Sequence, residues 1–137
     1  MADLVITAAN VVRGTGAQIE HGILGETVTA GKTVVKDAVA SKFVLADGNH
    51  ATAALRRPRG VALNGGALDQ PVAVQYSGPI TIGAAVAQGT IYVQSGTPGG
   101  IAPAADLASG IETTILGVGI NATQIALGIN ASQVVVP

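Results

Sequence analysis

The chain has 137 residues, enough for one domain or one domain with an ordered arm. Only 11% of them are charged and the formal net charge is −1, which excludes the basic field that nucleic acid or an anionic lipid surface would need. With no cysteine, disulfides and thiolate metal sites are excluded as well.

Hydrophobic residues make up 48% of the chain, too many for a disordered segment. Their kind matters more. Phe43, Tyr76 and Tyr92 are the only aromatics, so the core has to be built from Val, Ile, Leu and Ala, which bury less area per residue. A small domain with so light a core is marginal alone, and a surface this poor in charge points to coverage by other copies or a partner.

Nineteen glycines divide the sequence into short runs rich in Val, Ile and Thr, the pattern of short strands and frequent turns. In chain order, Leu4, Ile6 and Ala8 alternate with Asp3, Val5 and Thr7, predicting a strand over 4–12. Residues 14–26 mix glycines with Glu20, His21, Ile19, Ile23 and Leu24 and read as an extended arm. Strands are expected over 27–36, 42–46 and 59–63, with Asp47-Gly48-Asn49 and Asn64-Gly65-Gly66 supplying positive-φ positions for tight reversals. Val72, Val74 and Tyr76 alternate with Ala73, Gln75 and Ser77 in a strand over 70–77, which Ser77-Gly78-Pro79 ends before another over 79–83. A strand over 90–94 precedes a loop, Ser95 to Gly100, expected to be mobile. Ala102 to Gly110, with Pro103 early and a terminal glycine, predicts a two-turn helix. Strands over 113–121, 124–129 and 133–136 complete the chain. Gly119-Ile120-Asn121-Ala122-Thr123-Gln124 recurs as Gly128-Ile129-Asn130-Ala131-Ser132-Gln133, which suggests a hairpin with an Asn-containing turn.

Chemical motifs are weak throughout. Gly25 and Gly31-Lys32-Thr33 resemble a phosphate loop, but five residues separate the glycines instead of four. The next residues, Val34-Val35-Lys36, read as a strand and not as the helix whose N-terminus would hold phosphate. His21 and His50 have no neighbouring ligands at metal-site spacing, so both read as surface histidines and neither cofactor nor metal is expected. Tyr76-Ser77-Gly78 lacks the leading glycine of a nucleophile elbow. Lys42 sits beside a strand, not in the Gly/Asp turn of a carrier lysine. Two sequons, at Asn121 and Asn130, have no consequence where no basic segment followed by an apolar run marks a secretory signal. No apolar stretch reaches spanning length, so no membrane partner is expected. Arg56, Arg57 and Arg59 around Pro58 form the one cationic cluster, either a grip on an acidic partner or a solvated loop.

The pattern therefore predicts an all-β fold, a small barrel or sandwich with one short helix. Residues 27–137 form the β domain, and residues 1–26 form an extended arm or a first strand. No catalytic residue is predicted.

The order of these features resembles the small decoration (cement) proteins of tailed-bacteriophage capsids. The resemblance runs through Arg59-Gly60-Val61-Ala62, Val72-Ala73-Val74-Gln75-Tyr76-Ser77-Gly78, Gln88-Gly89-Thr90-Ile91-Tyr92-Val93, the Gly/Pro-rich loop, the short Pro103–Gly110 segment and Leu116-Gly117-Val118-Gly119. It implies a β-rich homotrimer on the outer surface of the virion, made in the cytoplasm of a host bacterium. There it would staple neighbouring major capsid protein subunits against internal pressure, with an N-terminal arm reaching along the shell. Partner contacts are then expected from Leu4, Ile6, Val11 and Val12 in the first segment and from Arg56, Arg57 and Arg59. A head fibre, tail or baseplate component and a carbohydrate-binding β module are the alternatives. The second would need aromatic platforms that three aromatics scarcely provide.

Overall fold

The computed structural model describes residues 3–137 and is all-β: ten strands and three short 3-10 turns, with no α-helix among the described residues. The strands are β1 (Val11–Arg13), β2 (Gln18–Ile23), β3 (Thr33–Lys36), β4 (Phe43–Leu45), β5 (Gly60–Ala62), β6 (Pro71–Ile82), β7 (Ile91–Gln94), β8 (Ile101–Pro103), β9 (Glu112–Gly119) and β10 (Gln124–Val135).

Strand β6 organises the rest. Its twelve residues span about 40 Å at the usual rise, long enough to serve two cores. Along one edge run β1, opposite Ile80–Ile82, and β2, opposite Pro71–Ser77. The other edge is divided between β5, at Val74 and Gln75, and β10, at Ser77–Thr81. Two half-sheets therefore fork from one strand. The first continues β5-β3-β4 and curls until Leu24 bridges Phe43 in parallel. It encloses Leu24, Val28, Val34, Phe43, Ala62, Val72 and Val74. The second continues β10-β9-β7-β8 over a larger core that includes Ile80, Ile82, Tyr92, Ile101, Leu116 and Ile125. The single buried phenol is provided for, because the Tyr92 hydroxyl accepts the Ala87 N–H at 2.9 Å.

The fork is made at a bend. Gly78 takes φ +90, and one extra residue on β6 opposes β2 between Gln18 and Ile19. Carbonyls that a regular ladder would use are gathered by a side chain: the buried Gln75 amide donates to the carbonyls of Ser77 (3.2 Å), Gly78 (3.2 Å) and Pro79 (2.8 Å). Ser77-Gly78-Pro79 thus bends the strand without ending it, contrary to the sequence expectation. Pro79, which has no N–H to give, still stands in register with Ala126 and accepts from Gly14 N–H at 2.9 Å.

Loops join the half-sheets where strands do not. Thr33 N–H donates to Gly99 O, Gly99 N–H to Ala46 O, and Gly48 N–H to Ser95 O. Buried Gln94 accepts from the Thr33 hydroxyl and donates to Ala46 O at 3.1 Å. The Ser95–Gly100 loop, expected to be mobile, is held by these bonds and by Ser95 N–H to Gly100 O. Gly48 is needed here for space rather than for a positive φ, because a Cβ would lie 2.6 Å from the Ile111 side chain.

Other expectations shift as well. The strand placed over 4–12 is a 3-10 turn at Ala8–Asn10 followed by only three residues of β1. Of 27–36, only Thr33–Lys36 is a strand. The two-turn helix over 102–110 is replaced by β8 and one 3-10 turn, Ala104–Asp106. Ile101 and Ala102 are fully buried opposite Gln94 and Val93, and that burial outweighs a helix too short to hold itself. The last two predicted strands are one bulged strand, β10, in which Gln133 takes φ +61. The six-residue repeat adopts two structures. Its first copy is the turn of the β9–β10 hairpin, where Asn121 Oδ1 accepts the Thr123 and Gln124 N–H groups, and its second copy lies within β10.

Candidate interaction surfaces

The arginine cluster lies at and just after a 3-10 turn, Ala53–Arg56, and each guanidinium has a partner within the chain. Arg57 makes a two-pronged ion pair with Glu112, 2.8 and 3.1 Å, across to the start of β9. The Glu112 side chain is 3% exposed, so this pair is largely withdrawn from solvent on the carboxylate side. The contact raises the Arg57 pKa, chiefly through the hydrogen bond to Glu112. Arg59 bonds Glu20 at 2.7 Å and stacks its guanidinium 5.0 Å from the centre of the Tyr76 ring. That hydrogen bond is the largest cause of a lowered Glu20 pKa, helped by Lys36 at 3.8 Å. Arg56 donates to the His50 carbonyl at 2.6 Å. The sequence brings these three residues together as a patch; the structure directs them to three different partners.

The N-terminal candidates divide in the same way. Leu4 and Ile6 pack half-buried on the larger core, and Val11 is buried within it. Gly31 makes room for Ile6, since a Cβ there would lie 2.5 Å from the Ile6 side chain. Leu4 N–H donates to Ile101 O at 2.7 Å and Thr7 N–H to Gly83 O at 2.8 Å, so this stretch lies against its own chain. Residues 18–23, read from sequence as part of an arm, are strand β2. Met1 and Ala2, the start of the predicted 1–26 segment, fall outside the described residues. Val12 alone of the four apolar candidates faces outward, 55% exposed.

Val12 belongs to a larger feature that the sequence pattern did not point to. While Ile80, Ile125 and Leu116 point into the core, the outward positions of the same half-sheet carry Pro79, Ala126, Val118 and Ile91 in one row across β6, β10, β9 and β7. Thr81, flanked by Val12 and Gln124, forms the next row, and Ile120 lies just beyond the end of β9. Ile91, Val118 and Ile120 are each at least 40% exposed. No charged side chain interrupts these rows. The signal that could have found the face is charge position: all seven basic residues and six of the eight acidic ones precede Gln70, leaving only Asp106 and Glu112 in the second half, and Glu112 is buried against Arg57.

Chemistry-bearing groups elsewhere are engaged in local structure. Glu26, Asp37, Asp47 and His50 surround a depression of about 290 Å³. The three carboxylates accept the N–H groups of Leu45, Val39 and Asn49, and His50 Nδ1 accepts that of Thr52. Among the described residues no group of three His, Asp or Glu is placed to hold a metal ion, and no helix is long and apolar enough to cross a membrane. Phe43 and Tyr92 are buried, and half-buried Tyr76 carries the Arg59 guanidinium over one face. Gly31-Lys32-Thr33 leads into β3. No family model and no curated protein matches the chain.

Proposed function

We propose that the chain is a non-enzymatic structural virion protein that decorates and stabilises a phage capsid from outside, binding between major capsid protein subunits as a homotrimer. The observation that carries the reading is the uncharged aliphatic face of the larger half-sheet, together with the loss of charge from the second half of the chain. An exposed apolar sheet without charges is an interaction surface and a liability if left open. A protein that binds through such a surface gains affinity by summed burial, multiplied over a symmetric lattice. The carboxylates, arginines and His50 hold turns and cross-links, which supports a scaffold rather than a reaction site. A sugar-binding module is disfavoured because Phe43 and Tyr92 are buried and Tyr76 is engaged by Arg59, which leaves no aromatic platform of several rings.

The test is co-sedimentation of the purified protein with expanded tailed-phage shells assembled without it. Saturation at about one copy per capsid subunit, the stoichiometry expected of symmetric decoration, supports the reading. A few copies per particle would indicate a fibre, tail or baseplate component, and no binding would remove the protein from the virion surface. Within the same assay, Val12→Lys should weaken binding more than neutralising Arg57 and Arg59, which are already paired within the chain.

A further inference from the structure

We propose that Asn64 is a self-modification site restrained by the fold: its side-chain amide is lost to the next backbone nitrogen at a rate set by the hydrogen bonds that clamp it. Of the five asparagines, only Asn64 precedes a glycine, whose missing side chain leaves the backbone nitrogen open to approach. Asn64 is exposed, so the water that completes the reaction has access. In the first step the Gly65 nitrogen attacks Asn64 Cγ and closes a cyclic imide. The Cγ–Nδ2 bond breaks, and ammonia leaves with the proton given up by Gly65. Water then adds to either imide carbonyl and opens the ring, leaving an aspartyl or an isoaspartyl residue at position 64.

The reversal between β5 and β6 resists this chemistry. Asn64 Oδ1 accepts the Ala73 N–H at 2.8 Å, while Nδ2 donates to Pro71 O at 3.0 Å and Gly65 O at 3.2 Å. Both ends of the carboxamide are thus tied to the start of β6, and the side chain is free to turn Cγ onto the Gly65 nitrogen only once those bonds open. The acceptor side is pinned as well. Gly66 exchanges two hydrogen bonds with Val28, at 2.9 and 3.0 Å, and a Cβ at Gly65 would lie 2.9 Å from Val28 O. Either product undoes the clamp. A carboxylate has no N–H to give and turns an oxygen toward Pro71 O and Gly65 O, and the isoaspartyl linkage lengthens the backbone beside the Gly66–Val28 pair. Val28 belongs to the smaller core, so the release reaches the packing beneath the loop. The inference does not depend on what the protein binds.

Peptide mass spectrometry of the full chain, incubated at neutral pH both folded and in urea, tests the inference. In urea, Asn64 should convert ahead of Asn10, Asn49, Asn121 and Asn130. In the folded chain its conversion should be roughly 5–30-fold slower, the factor that two hydrogen bonds of ordinary net strength supply. Gln70→Ala removes the acceptor of the Ala67 N–H, a 2.7 Å bond within the same reversal, and should speed conversion of the folded chain. Asn64→Asp, which makes one product directly, should unfold at a lower urea concentration than the wild type. Equal rates folded and in urea, another asparagine converting first, no acceleration in Gln70→Ala, or an Asn64→Asp variant as stable as the wild type would each overturn the inference.

Discussion

Replacing Gln75 tests the bend that divides β6 between two half-sheets. Its side-chain amide is buried and donates toward three successive carbonyls, with the 2.8 Å contact to Pro79 the shortest. In Gln75→Met the shape is kept and the donor is lost. Pro79 O keeps its bond from Gly14 N–H, so it is not orphaned, and the loss falls on two longer bonds and part of one short bond. The substitution also removes Gln75 Oε1, a buried acceptor without a partner. At about 1 kcal/mol for a typical net hydrogen bond, the expected cost is about 1–2 kcal/mol, or a fall in melting temperature of roughly 3–8 °C for a chain of this size. Gln75→Glu tests the geometry more severely, because it points a carboxylate at three carbonyl oxygens in a buried site, and it should cost several kcal/mol near neutral pH. Urea unfolding of the three proteins, followed by circular dichroism, reads both effects. Equal stability of the Met and Glu variants would refute the placement of the amide against those carbonyls.

Three more outcomes rest on the same packing. Phe43→Ala, which empties the centre of the smaller core, should cost about 3–5 kcal/mol by urea unfolding, and a loss below about 1.5 kcal/mol would mean that the core collapses around the gap. Arg57→Met should lower the thermal midpoint more than Arg59→Met, because it strands the Glu112 carboxylate, 3% exposed, while Arg59→Met releases Glu20, which is 26% exposed; equal shifts would contradict the difference in burial. Because Arg59 lowers the folded pKa of Glu20, the pair's contribution is present above the unfolded carboxylate pKa, about 4.3, and is lost as pH falls through the lower folded value. Glu20→Gln should flatten that part of the acid limb by less than about 1 kcal/mol, given the exposure of the pair, and an unchanged acid profile would refute the linkage.

Much of the strand pattern was legible because period-2 alternation reports which side of a strand is buried. Val72 and Val74, set on one side of the predicted 70–77 strand, are both buried. What failed depended on contacts distant in sequence. Pro79 reads locally as a strand end, yet Gln75 and Gly14 supply the bonds that carry β6 through it. Ala102–Gly110 reads locally as a helix, yet Ile101 and Ala102 are held by pairing with Val93 and Gln94. The arginine cluster shows the same limit: adjacency in sequence suggested one patch, while Glu112 and Glu20, which pair with Arg57 and Arg59, lie 55 and 39 residues away. The outward face was visible only as a change in charge density near Gln70, a signal that alternation does not register.

Calorimetry of expanded capsid shells with and without bound protein tests the central claim most directly, since a protein that works by packing has to stabilise what it packs against. Shells saturated with the wild-type chain should melt at a higher temperature than bare shells, with the gain reduced when Val12 and Val118 on the uncharged face carry lysine. Shells that bind the chain to saturation and melt unchanged would contradict the account.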